Sequence, residues 1–390
     1  MFKRAIVLIL DGVGVGALPD AVDYNDQGAA TLQHTAAHVA GLQLPCLEQL
    51  GLGWIAPGNG LSPVAEPLAC WGKMAECSAG KDSVTGHWEI AGIVQDQPFA
   101  TFPRGFPAEM IAAFAAETGM QPLGNVAASG TEIIRQLGEE HLRTARPIVY
   151  TSSDSVFQIA AHEDVIAPEQ LYRICCSAEQ ILRPYNLCRV IARPFCGTRA
   201  DNFVRTSGRH DFPRKPPEPM LLSTLQQAGV QTCGIGKIGD LYAGVGLDRI
   251  VPTRDNRAGM EQTEAVLGQQ ERGLIMTNLV DFDMLYGHRR DIEGFAAALE
   301  EVDRWLPRLL EMLTEADLLL ITADHGCDPT APGTDHTREY VPLLVSSKQL
   351  HSSIDLGVRE SFADIGQTLA ENFGLALPAG RSFLELLRSL

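Results

Sequence analysis

"AIVLIL", residues 5–10, is a short continuous apolar run that stops on Asp11. It is partly β-branched and the glycine-rich turn GVGVG follows at once, so it reads as a strand buried on both faces. Two later stretches repeat the pattern. LIMTNLV, residues 274–280, empties into DFDMLYGHRRD with Asp281, Asp283 and His288, and LLLITA, residues 318–323, empties into Asp324 and His325. Between them FAAALEEVDRWLPRLLEML sets Phe295, Leu299, Val302, Leu306, Leu309 and Leu313 at spacings of three and four, an amphipathic helix with an expected kink at Pro307. Strand, helix, strand predicts a crossover in a parallel sheet, and in open α/β sheets the ligand lies beyond the carboxyl ends of the strands. One strand-end aspartate is ordinarily a cap or turn residue. Three of them, two accompanied by histidines, point to a site.

The totals narrow the field. At 390 residues and 45% apolar the chain can bury a large core, and its length suits more than one domain. A net charge of -17 opposes nucleic acid as a partner, because neutralising phosphates along a polyanion needs a surplus of Lys and Arg. Nine scattered cysteines with no Cys-x-x-Cys suit free thiols in a reducing compartment. The run at residues 5–10 is too short for a signal peptide, and no stretch reaches the roughly 18 apolar residues of a membrane span. The expectation is a soluble cytoplasmic protein with no membrane contact and no implied protein partner.

A further histidine, His336, lies eleven residues after His325 in ADHGCDPTAPGTDHTREYVPLLV. Asp11, Asp283, Asp324, His288, His325 and His336 are then six oxygen or imidazole donors with no thiolate among them. That mixture suits Mn²⁺, Zn²⁺ or Mg²⁺, and two such cations about 3.5–4 Å apart form the usual clamp for phosphoryl displacement. The turn GVGVGALPD lacks the spacing of a dinucleotide fingerprint and runs into Pro19, so no helix N-terminus follows it. A candidate nucleophile lies in GKDSVTGHWE, residues 80–89, where Ser83 and Thr85 are both suitable hydroxyls and both possible caps of the helix that HWEIAG begins. Residue chemistry alone leaves that choice open.

VLILDGVGVGALPDA, GKDSVTGHWEIAG, YTSSDSVFQIAAHE, VIARPF, GRHDF, GIGKIGD, DFDMLYGHRRD, ADHG and GTDHTREYVPLL occur in this order over nearly the whole chain. With them the chain resembles the phosphopentomutase family, of the alkaline-phosphatase-like group of metal-dependent phosphoryl-transfer enzymes. The resemblance implies one metal held by Asp11, Asp324 and His325 and a second by Asp283, His288 and His336, with two Mn²⁺ expected. It implies that Thr85 touches the first metal and carries the phosphoryl group in transit, which leaves Ser83 as a cap or turn donor. The family's spacing to the histidine selects Asp283 over Asp281, which is then a supporting or turn residue. His87 reads either as a donor on the phosphate side or as a packing histidine, and Cys327 as a small turn residue.

The character of the chain changes between the proline-marked exit QDQPFATFPRGFP and the return RHDFPRKPPEP. The expected architecture is α/β: an alkaline-phosphatase-like core with a central, mostly parallel sheet flanked by helices, residues 1–95 and 216–390, and an inserted α+β cap, residues 96–215, for substrate binding. Within the insert, EMIAAFAAETG reads as a helix ending at Gly119, and PIVYTSSDSVFQIAAHE as strand and turn presenting Asp154. A mutase must also grip the phosphate that is not reacting, away from the metals, and Arg193, Arg209 and Lys237 are the candidate cations. Asp154 is assigned to a ribose hydroxyl. The resemblance implies interconversion of ribose 1-phosphate and ribose 5-phosphate, and of the deoxyribose pair, through a phosphothreonine and a 1,5-bisphosphate. A sugar bisphosphate such as glucose 1,6-bisphosphate would prime the enzyme. A metal-dependent phosphoglycerate mutase or phosphatase shares such a core but commonly uses serine, and a catalytically dead binding protein would be expected to have lost ligands that are all present here.

Overall fold

Each of the three apolar runs becomes a strand with every residue buried. The structure, a computed structural model, describes residues 2–39, 41–152 and 154–390. Its strands in chain order are β1 (Arg4–Leu10), β2 (Cys70–Met74), β3 (Leu123–Ala127), β4 (Ile148–Thr151), β5 (Val156–His162), β6 (Arg189–Cys196), β7 (Val204–Arg205), β8 (His210–Pro213), β9 (Thr232–Ile235), β10 (Arg249–Val251), β11 (Gly273–Leu279), β12 (Asp317–Thr322), β13 (Val341–Ser346) and β14 (Asp355–Arg359). The chain divides into two units, Met1–Gln97 with Pro216–Leu390, and Pro98–Lys215.

The first unit contains a sheet of eight strands in the order β10-β9-β11-β1-β12-β13-β2-β14. Neighbours from β10 to β12 are parallel, and β13 is antiparallel to both β12 and β2, so β13 alone runs against the rest. Register fixes the site. β1 pairs with β11 through Leu10 and Leu279, and with β12 through Ile9 and Thr322. Asp11 and Asp324 therefore leave the sheet side by side, and Asp281 and Asp283 leave the strand on the other flank of β1.

Strands this apolar need cover on their faces, and the helix Ile292–Met312 supplies part of it by burying Phe295, Leu299, Val302, Leu306 and Leu309. Each such side chain contributes about 1.5–3 kcal/mol. The helix passes unbroken through Pro307, where the sequence suggested a kink. It links β11 to β12 across the intervening β1.

The second unit has a mixed sheet, β3-β4-β5-β6-β7 with β8 also paired to β6. One core packs Phe106, Met110 and Phe114 against Phe157, and another joins Leu123, Ile133, Ile148, Tyr150 and Phe195. The helix Ala108–Thr118 ends at Gly119, whose φ of 68° is the left-handed geometry of a C-terminal cap. The segment around Asp154 forms antiparallel strands β4 and β5 with Asp154 exposed between them. Among the described residues no helix is long and apolar enough to cross a membrane.

Candidate active site

Three donor groups close to within 4.8 Å at the carboxyl ends of β1, β11 and β12: Asp11 with Asp324 and His325, Asp283 with His325 and His336, and Asp283 with His288 and Cys327. His325 Nε2 lies 3.4 Å from Asp11 Oδ1 and 3.4 Å from Asp324 Oδ2. Asp283 faces two rings, with Oδ1 3.3 Å from His336 Nε2 and Oδ2 3.3 Å from His288 Nε2. The first trio brings together the three residues that the family resemblance implies for one metal. In the second region His325 stands closer to Asp283 and His336 than a strict division into two trios would suggest. Cys327, read from the sequence as a turn residue, is a buried third donor beside Asp283 and His288.

The ring tautomers suit cation binding. His288 Nδ1 donates to the Thr334 carbonyl at 2.7 Å and His325 Nδ1 to the Gly326 carbonyl at 3.0 Å. Each Nε2 is then the basic nitrogen, turned toward the carboxylates. The buried atoms Asp11 Oδ1, Asp283 Oδ1, Asp324 Oδ2 and His336 Nε2 have no hydrogen-bond partner. Unsatisfied buried acceptors converging on one another are costly unless a cation answers them. The donor set is hard oxygen and imidazole with one thiol, and it fits a divalent metal.

Electrostatics agree with that reading. Burial alone would raise the Asp283 carboxyl, but the His288 and His336 rings 3.3 Å away override it and hold the group well below the usual carboxylate range. Burial likewise opposes Asp324, yet His325 and His87 keep its pKa down at about 2. His325 is driven the other way: burial disfavours its charge, and Asp324 and Asp11 raise it well above an ordinary imidazole. The carboxylates favour positive charge in the space between them.

Thr85 is buried in the first turn of the helix Ser83–Ile90. Asp82 caps that helix, with Oδ1 accepting from the Val84 and Thr85 amides at 3.1 Å each, and its Oδ2 accepts from the Thr85 hydroxyl at 2.6 Å. The cap role assigned to Ser83 from the sequence therefore belongs to Asp82. Ser83 Oγ instead lies 3.0 Å from His325 Nε2. Gly86 allows the helix to approach the site, because a Cβ there would stand 2.0 Å from the Asp324 carbonyl oxygen.

His87 is fully buried and supports the ligands. Its Nδ1 donates to the Ser83 carbonyl at 2.8 Å and lies 3.0 Å from Asp324 Oδ2. Asn278 Nδ2 donates to Asp11 Oδ2 at 3.1 Å and lies 3.4 Å from His87 Nε2. Sequence reasoning passed over Asn278 and Asp82. The signals were present: a polar residue inside an otherwise apolar strand, and an aspartate three places before the candidate nucleophile.

The remaining candidates separate. Lys237 Nζ is 3.6 Å from Asp11 Oδ2, beside the metal donors rather than away from them. Asp281 accepts from the Asn256 amide at 2.7 Å and belongs to none of the donor groups. Asp154, Arg193 and Arg209 lie in the second unit. Arg193 donates to Gln158 Oε1 at 3.1 Å, while Arg209 is held by both oxygens of Asp211 at 2.8 and 2.9 Å.

Residues 3–377 match the model of the metalloenzyme superfamily. A phosphopentomutase of Syntrophotalea carbinolica is 58% identical over 386 residues, covering 99% of this chain and 98% of the relative, and one of Desulfitobacterium hafniense is 54% identical over 384 residues, covering 98% and 99%. Among solved structures, the PH0037 protein of Pyrococcus horikoshii matches with a TM-score of 0.50 at 16% identity, covering 98% of this chain and 100% of that one, a likeness of fold.

Proposed function

The chain belongs to the phosphopentomutase family, and from that premise we propose that it interconverts α-D-ribose 1-phosphate and D-ribose 5-phosphate, and the 2-deoxyribose phosphates, by way of a phosphorylated Thr85. The observation that carries the reading is the convergence of Asp11, Asp283, Asp324 and His336 donor atoms, buried and unpartnered, with His325 among them. We assign Asp11, Asp324 and His325 to one Mn²⁺ and Asp283, His288 and His336 to another. Such cations, when bound, would lower the pKa of the threonine oxygen and neutralise charge on the transferring phosphoryl group.

Thr85 gives its phosphoryl group to the free sugar hydroxyl: the P–O bond to threonine breaks, one to the sugar forms, and the threonine oxygen regains a proton. The resulting 1,5-bisphosphate turns over and returns its other phosphoryl group to Thr85. Asp82 holds the hydroxyl of unphosphorylated Thr85 in place. Lys237, next to Asp11, provides positive charge where the reacting phosphate would enter. In the second unit we assign Arg193 and Arg209 to the non-reacting phosphate and Asp154 to a ribose hydroxyl, so that this unit serves substrate binding. A sugar bisphosphate such as glucose 1,6-bisphosphate would prime the unphosphorylated enzyme.

Phosphorus NMR tests the proposal. Protein loaded with Mn²⁺ and primed with a catalytic amount of glucose 1,6-bisphosphate should convert ribose 1-phosphate into ribose 5-phosphate. Thr85→Ala should lose this by roughly 10⁴-fold or more, as removal of a nucleophile does. Free phosphate without ribose 5-phosphate would identify a phosphatase instead.

A further inference from the structure

Cys327 is the one cysteine among the described residues that stands in a group with histidine and carboxylate donors. It lies in the segment after β12, two residues past His325, and is 1% exposed. Its amide donates to Thr31 Oγ1 at 3.1 Å, and that hydroxyl donates to the buried Glu339 carboxylate at 2.6 Å, so the backbone beneath the side chain is tied down. Two glycines make room for the side chain itself. A Cβ on Gly12 would stand 2.9 Å from Cys327 Cβ, and one on Gly287 would stand 2.4 Å from Cys327 Sγ. Gly287 directly precedes His288, so the sulfur packs on the turn that carries that ring.

The donor atoms of Asp283, His288 and Cys327 all lie within 4.8 Å of one another. Asp283 is 3% exposed, its Oδ1 has no hydrogen-bond partner, and its Oδ2 is 3.3 Å from His288 Nε2. Oxygen, imidazole and sulfur together make a different donor set from the oxygen and imidazole of Asp283, His288 and His336. Hard cations such as Mn²⁺ and Mg²⁺ gain little from a thiol, whereas soft ones select it, and for a given set of ligands Zn²⁺ outranks Mn²⁺. The two sets share Asp283 and His288, so they cannot be filled together.

We propose that Cys327, with Asp283 and His288, forms a site for a thiophilic divalent cation of the Zn²⁺ or Cd²⁺ kind. As the cation is taken up, the S–H bond breaks, a metal–sulfur bond forms and the thiol proton passes to solvent, with nothing oxidised or reduced. The thiol thus makes the chain sensitive to soft metals at the place where it would use a hard one. That their capture would displace Mn²⁺ rests on the assignment of Asp283 and His288 to that metal.

Cadmium titrated into the full-length, Mn²⁺-loaded protein tests the site, because a cadmium–thiolate bond has a charge-transfer absorption in the ultraviolet that oxygen and nitrogen ligands lack. The two exposed thiols are first removed as Cys77→Ser and Cys176→Ser. In that background stoichiometric Cd²⁺ should produce the band, and free Mn²⁺ should appear in the electron paramagnetic resonance spectrum. Adding Cys327→Ser, which keeps the size of the side chain and offers only a hard oxygen, should abolish the band. His288→Gln keeps the thiol and should need about 10–100-fold more Cd²⁺ for the same absorbance, at least what losing a supporting partner costs at a metal site. Cadmium bound without the band, a band that survives Cys327→Ser, an unchanged cadmium demand in His288→Gln, or no cadmium bound would each overturn the proposal. The band without released Mn²⁺ would uphold the thiol site and overturn the manganese assignment. The mutase reading stands or falls separately, by the appearance of ribose 5-phosphate in the NMR assay.

Discussion

Gly86 sits inside a helix, where alanine would ordinarily be favoured by about 1 kcal/mol. Here the ordinary preference loses, because the added carbon would meet the Asp324 carbonyl oxygen at 2.0 Å and one backbone would have to retreat. Gly86→Ala should therefore destabilise the chain by about 1–3 kcal/mol, the usual cost of overpacking. It should also reduce metal retained after dialysis, since Asp324 is among the donors that would shift. Full metal content together with a raised thermal midpoint would contradict this account. Gly12 makes a comparable demand: its φ of 82° is left-handed, its amide donates to Asp324 Oδ1 at 3.1 Å, and a Cβ would stand 2.9 Å from Cys327 Cβ. At this scale the site was partly legible. Asp11, Asp324 and His325 could be read because they end apolar runs. Asn278 and Asp82 left local signals, but that Asn278 braces Asp11 could not be read, since a side-chain contact between residues so far apart leaves no periodicity in a sequence.

Strands differed in legibility for a physical reason. β1, β11 and β12 are buried on both faces and so print as continuous apolar runs, whereas β10 is three residues long at the sheet edge with Arg249 and Ile250 exposed. The reversed direction of β13 could not be read at all, because an apolar run carries no arrow. The far end of β1 gives a testable case. Arg4 and Asp317 are register partners, and the buried guanidinium donates to both Asp317 oxygens at 2.7 Å each. Arg4 also donates to the Leu267 and Gln270 carbonyls at 2.6 Å each. Burial opposes the charge on Asp317, but Arg4 and Thr314 override it and depress the pKa below the ordinary 3.8. A depressed carboxyl pKa gives stability that is present above the unfolded value and is lost as pH falls through the folded one. Asp317→Asn should cost about 3–5 kcal/mol near neutral pH, as breaking a buried pair does, and should flatten the loss of stability below pH 3.8. Urea melts at several pH values measure both, and an unchanged acid limb in the variant would remove Asp317 from the explanation.

At the scale of the whole chain, the two units have separate sheets and separate cores, and the alkaline-phosphatase-like core is assembled from segments on either side of Pro98–Lys215. Proline-rich stretches lie near both edges of that segment in the sequence. The order of strands in the core did not show there, because β1 pairs with strands some 270 and 310 residues distant, and only the fold chooses among such pairings. All six proposed metal ligands belong to the first unit. A ligand that binds the native form of one unit stabilises that unit, by about 2.7 kcal/mol at a hundredfold excess over its dissociation constant. Scanning calorimetry should therefore resolve two transitions, of which Mn²⁺ raises one and leaves the other in place. Limited proteolysis during heating identifies which is which: cleavage protected by Mn²⁺ should map to Met1–Gln97 and Pro216–Leu390, and cleavage within Pro98–Lys215 should be indifferent to it. One transition that moves as a whole with added metal would show that the chain melts as a single cooperative unit, and the energetic separation argued from its sheets and cores would then be wrong.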